Sequence, residues 1–444
     1  MKHGTLLTLA LLTFACASSE TPATSTATFF HGMTLISGDG AAPIENAALV
    51  VDEGAVVAVG GSDVVTRPAG AESIDLSGRT IMPLLHSVHV HLGYLTNDGM
   101  AAENYSRESI VADLERHAHY GIGSVLALGT DAGDTAFEIR EDQRAGRLGG
   151  ARLFTVGRGI TSVGGWPSTI AAIAAAPQQV ATQEEARAAV QAMADKDADA
   201  IKIWVDDGGG SLPKISRELF GAAIDEASQH GLDVHAHVYY LEDAKALVTA
   251  GVSGLAHSIR DADVDDELIE MMLANDVVYV PTLVAHQSSS AYADQEEWIG
   301  EASMRETVDA AVIDALTSSD YVDSLRSNPA LAAQREEYAT ALRNLEKLND
   351  AGVRIALGTD SGTTTRFPGY FEHRELALMV DAGMTPEEAL TAGTRNSAEV
   401  LGLTGTLSEG APADFMVLAS NPLDDINNTR NIEDVFVGGQ RLSR

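Results

Sequence analysis

Eight apolar, strand-like runs alternate with amphipathic helical segments between residues 79 and 407. Alternation of this kind is typical of repeated βα units that build a parallel sheet. Eight units are the number that closes such a sheet into a barrel. The sequence therefore predicts an α/β protein whose body, residues 79–407, is a (β/α)8 TIM barrel. The first run ends at Val90, and the others cover residues 124–128, 152–156, 200–205, 233–237, 253–257, 277–282 and 353–357.

Short apolar runs broken by Gly, Asp and Pro lie on both sides of this body, in residues 29–78 and 408–444. Such runs are typical of strands in an antiparallel sheet. Because the same pattern brackets the barrel, we expect one small β-sandwich domain formed from both termini.

The connection after the seventh run is unusually long. More than sixty largely helical and charged residues lie between Ala285 and Ala351, where a barrel needs roughly twenty to thirty. Two interpretations stay open: a lid over a site together with the seventh barrel helix, or an insert that serves packing.

The first residues predict export. A weakly basic start precedes an apolar run at 6–15 that is too short to be a retained membrane span, and Cys16 follows among small residues. We expect a secretory leader at 1–17, a disordered tether at 18–28, and a location in the bacterial periplasm or cell envelope. The residues that end in Cys16 resemble a lipoprotein box, so a lipid anchor there is one hypothesis. Cleavage at an ordinary small-x-small site is the other.

Charge and cysteine content exclude several classes of function. The formal net charge is −35, from 64 acidic and 29 basic residues. Such a surface repels phosphate backbones and anionic head groups, so we expect no nucleic-acid partner. Cys16 is the single cysteine, which excludes internal disulfides and a cysteine-based metal site. The oligomeric state stays open, a homo-oligomer included.

Two histidines, His89 and His91, close the first run. Residues two apart on a strand point to the same side, so the two imidazoles converge. In an α/β barrel the active site is built at the carboxyl ends of the strands. Taken alone, the pattern fits a metal site and also two polar residues at a strand end.

Lys202 lies inside the otherwise apolar run at 200–205. Burying an ammonium group alone is costly, so we expect this lysine to be paired, deprotonated or modified. A neutral lysine amine can take up carbon dioxide as a carbamate, an anion able to bridge two metal ions. Pairing with an acidic neighbour is the alternative.

Three more strand ends carry possible ligands. His235 and His237 alternate on the fifth run, His257 ends the sixth, and Asp360 follows the eighth. Imidazole and carboxylate ligands suit Zn²⁺ and similar divalent ions. Five strand ends of this kind predict a metal site. Elsewhere, we expect His117 to be exposed.

The order His-x-His, Lys, His, His and Asp on successive strands of one barrel, with a sandwich from both termini, resembles the amidohydrolase superfamily. Within it the chain is similar to the imidazolonepropionase-related and prolidase-like branch, from about residue 29 to residue 442. The segment at 407–418 is similar to the family's return into the sandwich.

The resemblance implies a binuclear centre with two divalent ions, expected to be zinc. Its ligands would be His89, His91 and Asp360 for the more buried ion, His237 and His257 for the more exposed ion, and Lys202, as its carbamate, between them. His237 precedes His257 by 20 residues (257 − 237), the separation in similar prolidase-like sequences. His235 stays an alternative ligand.

Two departures from the family pattern stand out. The family's Pro-Gly-x-x-Asp-x-His-x-His has Leu84 and Ser87 in place of Gly and Asp. Neither is a direct ligand in the family, but the group that orients His89 is then not identified. The family's Gly-Gly-His after the third strand reads Gly-Gly-Trp here, with Trp166 as the third residue. This change argues against strict prolidase specificity.

The implied reaction is hydrolysis of an amide C–N bond by a hydroxide held between two cations. Tyr239, which matches the family's His-x-Tyr, is a candidate hydrogen-bond donor to the developing oxyanion. Asp360 would pass a proton to the leaving nitrogen. Arg366 is either a clamp for a substrate carboxylate or a surface residue. Trp166 either lines the pocket or packs in the core.

Three hypotheses follow. The first is a binuclear enzyme for small carboxylate-bearing amides, of N-acyl amino acid or dipeptide type. The second is a mononuclear cyclic-amide hydrolase or deaminase, in which Lys202 is an ordinary lysine. The third is a non-catalytic metal-binding lipoprotein, which would tolerate the loss of Asp360. The presence of both Lys202 and Asp360 favours the first.

Overall fold

A computed structural model describes Met1 and residues 26–443. The predicted leader beyond Met1, most of the tether, and Cys16 lie outside the described residues. Within them, no helix combines the length and the apolar character needed to cross a lipid bilayer.

The structure confirms the predicted (β/α)8 barrel with a small β-domain from both termini. The strands are β1 Thr28–Leu35, β2 Ile44–Asp52, β3 Ala55–Gly61, β4 Glu72–Asp75, β5 Thr80–Pro83, β6 Leu85–Val90, β7 Leu95–Thr96, β8 Gly99–Met100, β9 Ile122–Ala127, β10 Arg152–Thr155, β11 Ile160–Ser162, β12 Gln178–Val180, β13 Ile201–Val205, β14 Val234–Val238, β15 Gly254–Ala256, β16 Val278–Val280, β17 Phe415–Leu418, β18 Ile432–Val437 and β19 Gln440–Arg441.

Helices separate the barrel strands. They are α1 Arg107–His119, α2 Thr135–Arg144, α3 Gln183–Ala194, α4 Arg217–Gln229, α5 Leu241–Ala250, α6 Asp266–Ala274, α7 Leu283–Asp294, α8 Ala310–Leu316, α9 Ser319–Arg326, α10 Leu331–Asp350, α11 Tyr370–Asp381, α12 Pro386–Thr391 and α13 Ser397–Val400. Local sequence sets several ends. For example, the Ser106 hydroxyl accepts the N–H of Ser109 and caps α1.

The barrel strands pair in parallel, in the orders β10-β9-β6 and β11-β13-β14-β15-β16. An eighth segment, predicted at 353–357, meets β16 through a single bridge between Ile355 and Tyr279, and Ser361 just beyond it bridges to Val90 of β6, so no full ladder forms. The N–H of Tyr279 donates to the carbonyl of Arg354 at 2.9 Å, and the N–H of Val88 donates to the carbonyl of Leu357 at 2.8 Å. These bonds close the barrel, and they bring Asp360 beside the end of β6.

The terminal domain is one sheet of eight strands drawn from both ends of the chain, in the order β19-β18-β17-β5-β1-β2-β3, with β4 also paired to β1. The sheet folds over an aromatic core. Phe30 meets the rings of Phe415 and Phe436 edge-on, at centroid distances of 5.2 and 5.3 Å. The contact between an N-terminal and two C-terminal aromatic rings explains why neither end forms this domain alone.

The predicted domain boundary at residue 79 requires a correction. Thr80–Pro83 forms β5 and pairs with β1 and β17 in the terminal sheet. The N–H of Leu84 donates to the carbonyl of Asp414 at 3.2 Å, and Leu85 begins the first barrel strand. The apolar run is continuous across this point, so hydrophobicity alone could not separate the two strands.

The long connection between the seventh strand and the eighth segment contains α7 to α10. Much of it packs against the barrel: Trp298 stacks edge-on against Phe371 of α11. Two of its side chains also reach the mouth of the barrel, His286 from α7 and Glu337 from α10. It therefore combines packing with contacts at the site.

Candidate metal centre

His89, His91 and Asp360 form a compact group, whose potential ligand atoms all lie within 4.8 Å of one another. The Nε2 atom of His91 lies 2.7 Å from Oδ1 of Asp360, and that of His89 lies 3.4 Å from it. The imidazoles come from the end of β6, where the pairing register with β9 shifts. The first strand and the eighth segment thus present these groups to one point.

Glycines allow this close approach. Asp360 has a left-handed backbone (φ 57°), and two residues later Gly362 does too (φ 83°). A Cβ atom at Gly362 would lie 1.6 Å from the carbonyl oxygen of His91, and one at Gly358 would lie 2.8 Å from Cβ of His89. A side chain at either position would therefore force Asp360 away from the imidazoles.

Two more imidazoles adjoin this group. The ring centroid of His257 lies 4.6 Å from that of His89 and 4.2 Å from that of His237. Threonine hydroxyls engage Nδ1 of His91 at 2.8 Å, from Thr130, and Nδ1 of His257 at 2.9 Å, from Thr282. Such contacts orient imidazoles and leave Nε2 as the ligand atom.

Lys202 is fully buried, and its Nζ makes no hydrogen bond to any residue that the structure describes. Burial lowers the pKa of the amine to about 7, an effect that the Asp360 carboxylate only partly offsets. Lys202 is therefore a buried amine that forms no ion pair with a described residue.

The donor set fits divalent metal ions. Imidazole nitrogens, a carboxylate and a deprotonated lysine derivative are ligands for such ions. Within the described residues, Nε2 of His89, which faces Asp360, and Nζ of Lys202 are buried without a hydrogen-bond partner. Buried polar atoms normally have partners, so these two indicate that a further group completes the site.

Comparison with known proteins places this geometry in a family. The model of the amidohydrolase family matches residues 80–442. The chain belongs to the amidohydrolase family. It is accordingly an enzyme that hydrolyses carbon–nitrogen bonds, and its family generally uses divalent metals. The resemblance predicted from the strand-end residues is thereby confirmed.

Individual relatives agree with this placement. Ochratoxinase from Aspergillus niger is 26% identical over 451 residues, which cover 93% of this chain and 86% of that protein. Imidazolonepropionase from Geobacillus kaustophilus is 23% identical over 418 residues, 84% of each chain. A solved Xaa-Pro dipeptidase with bound methionine has a TM-score of 0.74 at 23% identity, covering 94% of this chain and all of that one (100%). At that identity the structure shows the fold alone.

Of the two histidines on β14, His237 lies nearer the other imidazoles of this amidohydrolase. It contacts His257 and lines the cavity beside the cluster, together with Asp360. His235 lies deeper, against the backbone of Gly254, where a Cβ atom would come within 2.4 Å of its Nδ1. Burial lowers the pKa of His235 to about 4, so it is a neutral imidazole in the barrel interior.

Tyr239 makes contacts that the sequence did not predict. Its hydroxyl donates to Oε1 of Glu337 at 2.8 Å, and the guanidinium of Arg260 lies 4.4 Å from the centre of its ring. Burial and the Glu337 carboxylate together raise the pKa of Tyr239 to about 12. The phenol is therefore a protonated donor, but in this structure its proton is directed to α10.

Arg366 and Trp166 both lie at the cavity beside the cluster. Arg366 donates from Nη2 to Oδ2 of Asp360 at 2.8 Å and from Nε to the Asp360 carbonyl at 3.1 Å. Burial favours the neutral form of Asp360, but Arg366 and the imidazoles hold its pKa well below the usual range. The guanidinium thus keeps this carboxylate ionised.

Two side chains at the mouth of the barrel were not predicted from the sequence. Asp206 accepts from Nε2 of His237 at 2.7 Å. It follows Lys202 and Trp204 at two-residue spacing, so alternation along β13 was a usable signal. His286 of α7 accepts the N–H of Ser258 at 3.4 Å and lies 6.1 Å from the ring of His257. Its position depends on how the long connection packs.

A buried carboxylate behind the cluster was also missed. Glu372 of α11 accepts from the hydroxyls of Thr359 at 2.7 Å and Ser361 at 2.8 Å, the two residues beside Asp360. It also accepts from Ser87 at 3.3 Å, the position where the family has Asp. A carboxylate from a distant helix thus lies close to Ser87, the position on β6 where the family has an aspartate.

The expected exposure of His117 is wrong. This side chain is fully buried on α1; its Nδ1 lies 2.8 Å from the carbonyl of Asp113, and its Nε2 lies 3.5 Å from Oε1 of Glu372. His117 thus reaches from α1 to the carboxylate of Glu372 on α11. Helical periodicity could not reveal this contact, because the partner lies more than 250 residues away.

Proposed function

We propose that this amidohydrolase cleaves the amide bond of small carboxylate-bearing substrates, of N-acyl amino acid or dipeptide type, with two zinc ions. The observation that carries the proposal is the buried amine of Lys202, which has no hydrogen-bond partner among the described residues and acts electrostatically on His89, His237 and His257. A mononuclear site would have no need of it.

In this proposal His89, His91 and Asp360 would hold one ion, and His237 and His257 would hold the other. Lys202 would be a ligand to both as a carbamate: its neutral amine attacks the carbon of carbon dioxide, the N–C bond forms as one C–O π bond breaks, and the amine proton passes to water. The pKa of about 7 supports this assignment, because a large fraction of the amine is uncharged at neutral pH.

When bound, the ions would supply a hydroxide at neutral pH and polarise the carbonyl of the substrate. The chain's own groups handle protons and orientation. Asp360, held ionised by Arg366, takes the proton of the nucleophile and returns it to the leaving nitrogen. Tyr239 can donate to the developing oxyanion once its hydroxyl leaves Glu337.

One observation favours the second candidate, a mononuclear cyclic-amide hydrolase or deaminase. His89, His91 and Asp360 are compact by themselves, whereas His237 is hydrogen-bonded to Asp206. In that case Lys202 would stay an unmodified lysine, and one ion per chain would suffice.

Metal analysis of the wild-type enzyme and of Lys202→Ala separates the two candidates. We expect about two divalent ions per chain in the wild type and a marked fall in the variant. Mass spectrometry of the native enzyme should detect the added carbon dioxide. One ion in both proteins would favour the mononuclear enzyme, and no turnover across a panel of N-acyl amino acids, dipeptides and hydantoin-like rings would contradict the proposed reaction.

A further inference from the structure

A cavity of about 170 Å³ opens directly onto the candidate metal centre. One side is formed by His91, Thr130, His237, His257 and Asp360. The remaining wall divides into an apolar part and a polar part, and this division limits which amides can enter. The apolar part consists of Met100, Trp166, Pro167, Ile170, Ile173 and Trp204.

The apolar part is built largely by the segment after the third barrel strand. Ile173 and Trp204 are buried, at 5% and 4% exposure, whereas Trp166 and Ile170 are only partly buried and border the opening. An apolar cavity of about 150 Å³ takes up a benzene molecule. The space here therefore accepts one aromatic ring or a branched chain of similar size.

The polar part consists of Thr363, Thr364 and Arg366, which follow Asp360 in the chain. Among the described residues that line the cavity, Asp360 is the only carboxylate, and Arg366 and the imidazoles already engage it. A substrate carboxylate would meet the guanidinium of Arg366, which it would share with Asp360, and the hydroxyls of Thr363 and Thr364. A substrate ammonium in this cavity would meet no other carboxylate, because Asp206 and Glu337, at the mouth of the barrel, do not line it, and an unpaired ammonium is costly to bury.

The two parts orient the amide. In the proposed function Asp360 protonates the leaving nitrogen, so the amine half of the substrate must lie near Asp360. The polar residues adjoin Asp360 along the chain and can receive the carboxylate of that half. The acyl half then extends toward Trp166 and Ile173.

We propose that the substrates are N-acyl amino acids whose acyl group carries one aromatic ring or a comparable apolar group, and not dipeptides with a free α-ammonium. This inference rests on the proposed function and narrows it to one of its two substrate types. The apolar acyl group packs against the apolar part of the cavity wall, and the absence of a second lining carboxylate excludes the ammonium.

Three substrates with alanine as the common amine part test this inference. N-(3-phenylpropanoyl)-alanine and Phe-Ala share one skeleton and differ only in the α-ammonium, and N-acetyl-alanine lacks the ring. We expect kcat/KM for the phenylpropanoyl compound to exceed that for each of the other two by about 100-fold, from ring burial in one case and from ammonium desolvation in the other.

Variants of the cavity wall sharpen the test. They are compared with the wild type at equal metal content. Trp166→Ala should reduce the preference for the phenylpropanoyl compound over N-acetyl-alanine at least about tenfold. Ile170→Asp should raise the ratio of Phe-Ala to phenylpropanoyl-alanine turnover, because it supplies a carboxylate for the ammonium. Val163→Ala is the matched control: Val163 lies on the same segment, is 58% exposed and does not line the cavity. It should leave both ratios unchanged.

The outcomes separate this inference from the proposed function. Equal turnover of phenylpropanoyl-alanine and Phe-Ala, or of the ring-bearing and acetyl compounds, overturns the inference and leaves amide hydrolysis intact. No turnover of any of the three, or of a wider amide panel, overturns both. Thermal unfolding would first establish that Trp166→Ala and Ile170→Asp are folded. If their turnover ratios were then unchanged from those of the wild type, this wall would not select the substrate.

Discussion

Lys202 and Glu372 are both fully buried ionisable residues of the barrel, yet they have opposite surroundings. The Lys202 amine makes no hydrogen bond to a described residue, and burial lowers its pKa to about 7. The Glu372 carboxylate accepts from three hydroxyls and from the N–H of Gly369 at 2.8 Å. Although burial opposes its charge, His117 and these hydrogen bonds bring its pKa down to about 2.

This difference indicates that the Lys202 amine is available to bind a further group, whereas the Glu372 carboxylate stabilises the folded structure. A buried ion with several donors is part of the folded structure, and its removal leaves those donors without an acceptor. A buried amine without partners destabilises the fold unless something is added to it. The surroundings of Lys202 are therefore suited to function. The surroundings of Glu372 are suited to positioning Asp360.

The largest expected effect is that of Lys202→Met. Turnover should fall more than about 100-fold, because that is the upper end of the loss expected for residues that only support ligands. The metal-free variant should nevertheless be more stable by about 1–3 kcal/mol, since an unpartnered polar group is replaced by an apolar one. Denaturant unfolding of the metal-free proteins measures this.

A matched control for that variant is Lys214→Met. Lys214 is partly exposed and donates to Asp243 at 2.6 Å. Its loss should lower stability slightly, by less than about 1 kcal/mol. If Lys202→Met were instead destabilising, the amine would have a structural partner in the folded protein. If the variant kept its turnover, the amine would not be needed for the reaction.

Glu372→Leu should have the opposite effect on stability. We expect a loss of about 3–5 kcal/mol in unfolding free energy, because three hydroxyls, one N–H and His117 lose their acceptor. Turnover should fall about 10–100-fold, since Thr359 and Ser361 flank Asp360. Glu387→Leu, at an exposed position, should change stability by less than about 0.5 kcal/mol. A stable Glu372→Leu with full turnover would contradict the positioning role.

The pH dependence of stability offers a sharper test of Glu372. Its folded pKa of about 2 lies below the ordinary 4.5, so its contribution is fully present above pH 4.5 and is lost as the pH falls toward 2. The shift corresponds to about 3 kcal/mol. The difference in unfolding free energy between wild type and Glu372→Leu should therefore shrink over that range in urea titrations. A constant difference would mean that the carboxylate charge is not what stabilises the fold.

The smallest effect on stability is expected at His119, the last residue of α1, the helix that also carries His117. His119 lies 2.7 Å from Oε2 of Glu306, with side chains 24% and 43% exposed. His119→Gln should change stability by less than about 0.5 kcal/mol and leave turnover unaltered. A larger change in the thermal unfolding temperature would show that the contributions of His119 and His117 to stability do not differ because of burial.

Much of the fold was predictable, and the misses have a common cause. The strand-end positions of His89, His91 and Lys202 follow from hydrophobic runs, which are local. The exposure of His117 was predicted wrongly and the strand at Thr80–Pro83 was placed in the wrong sheet, because both depend on contacts with distant segments. The ligand assignments themselves stay predictions, which the metal analysis tests.

The sequence by itself determined the barrel, the terminal sheet and the kinds of side chain at the strand ends, because these follow from periodicities of two and 3.6 residues. Only the tertiary structure decided the partners: Asp206 for His237, Glu337 for Tyr239, Arg366 for Asp360, and Glu372 beside the strand that lacks a family carboxylate. Partners of this kind are decided by packing between elements, which no local pattern of residues encodes.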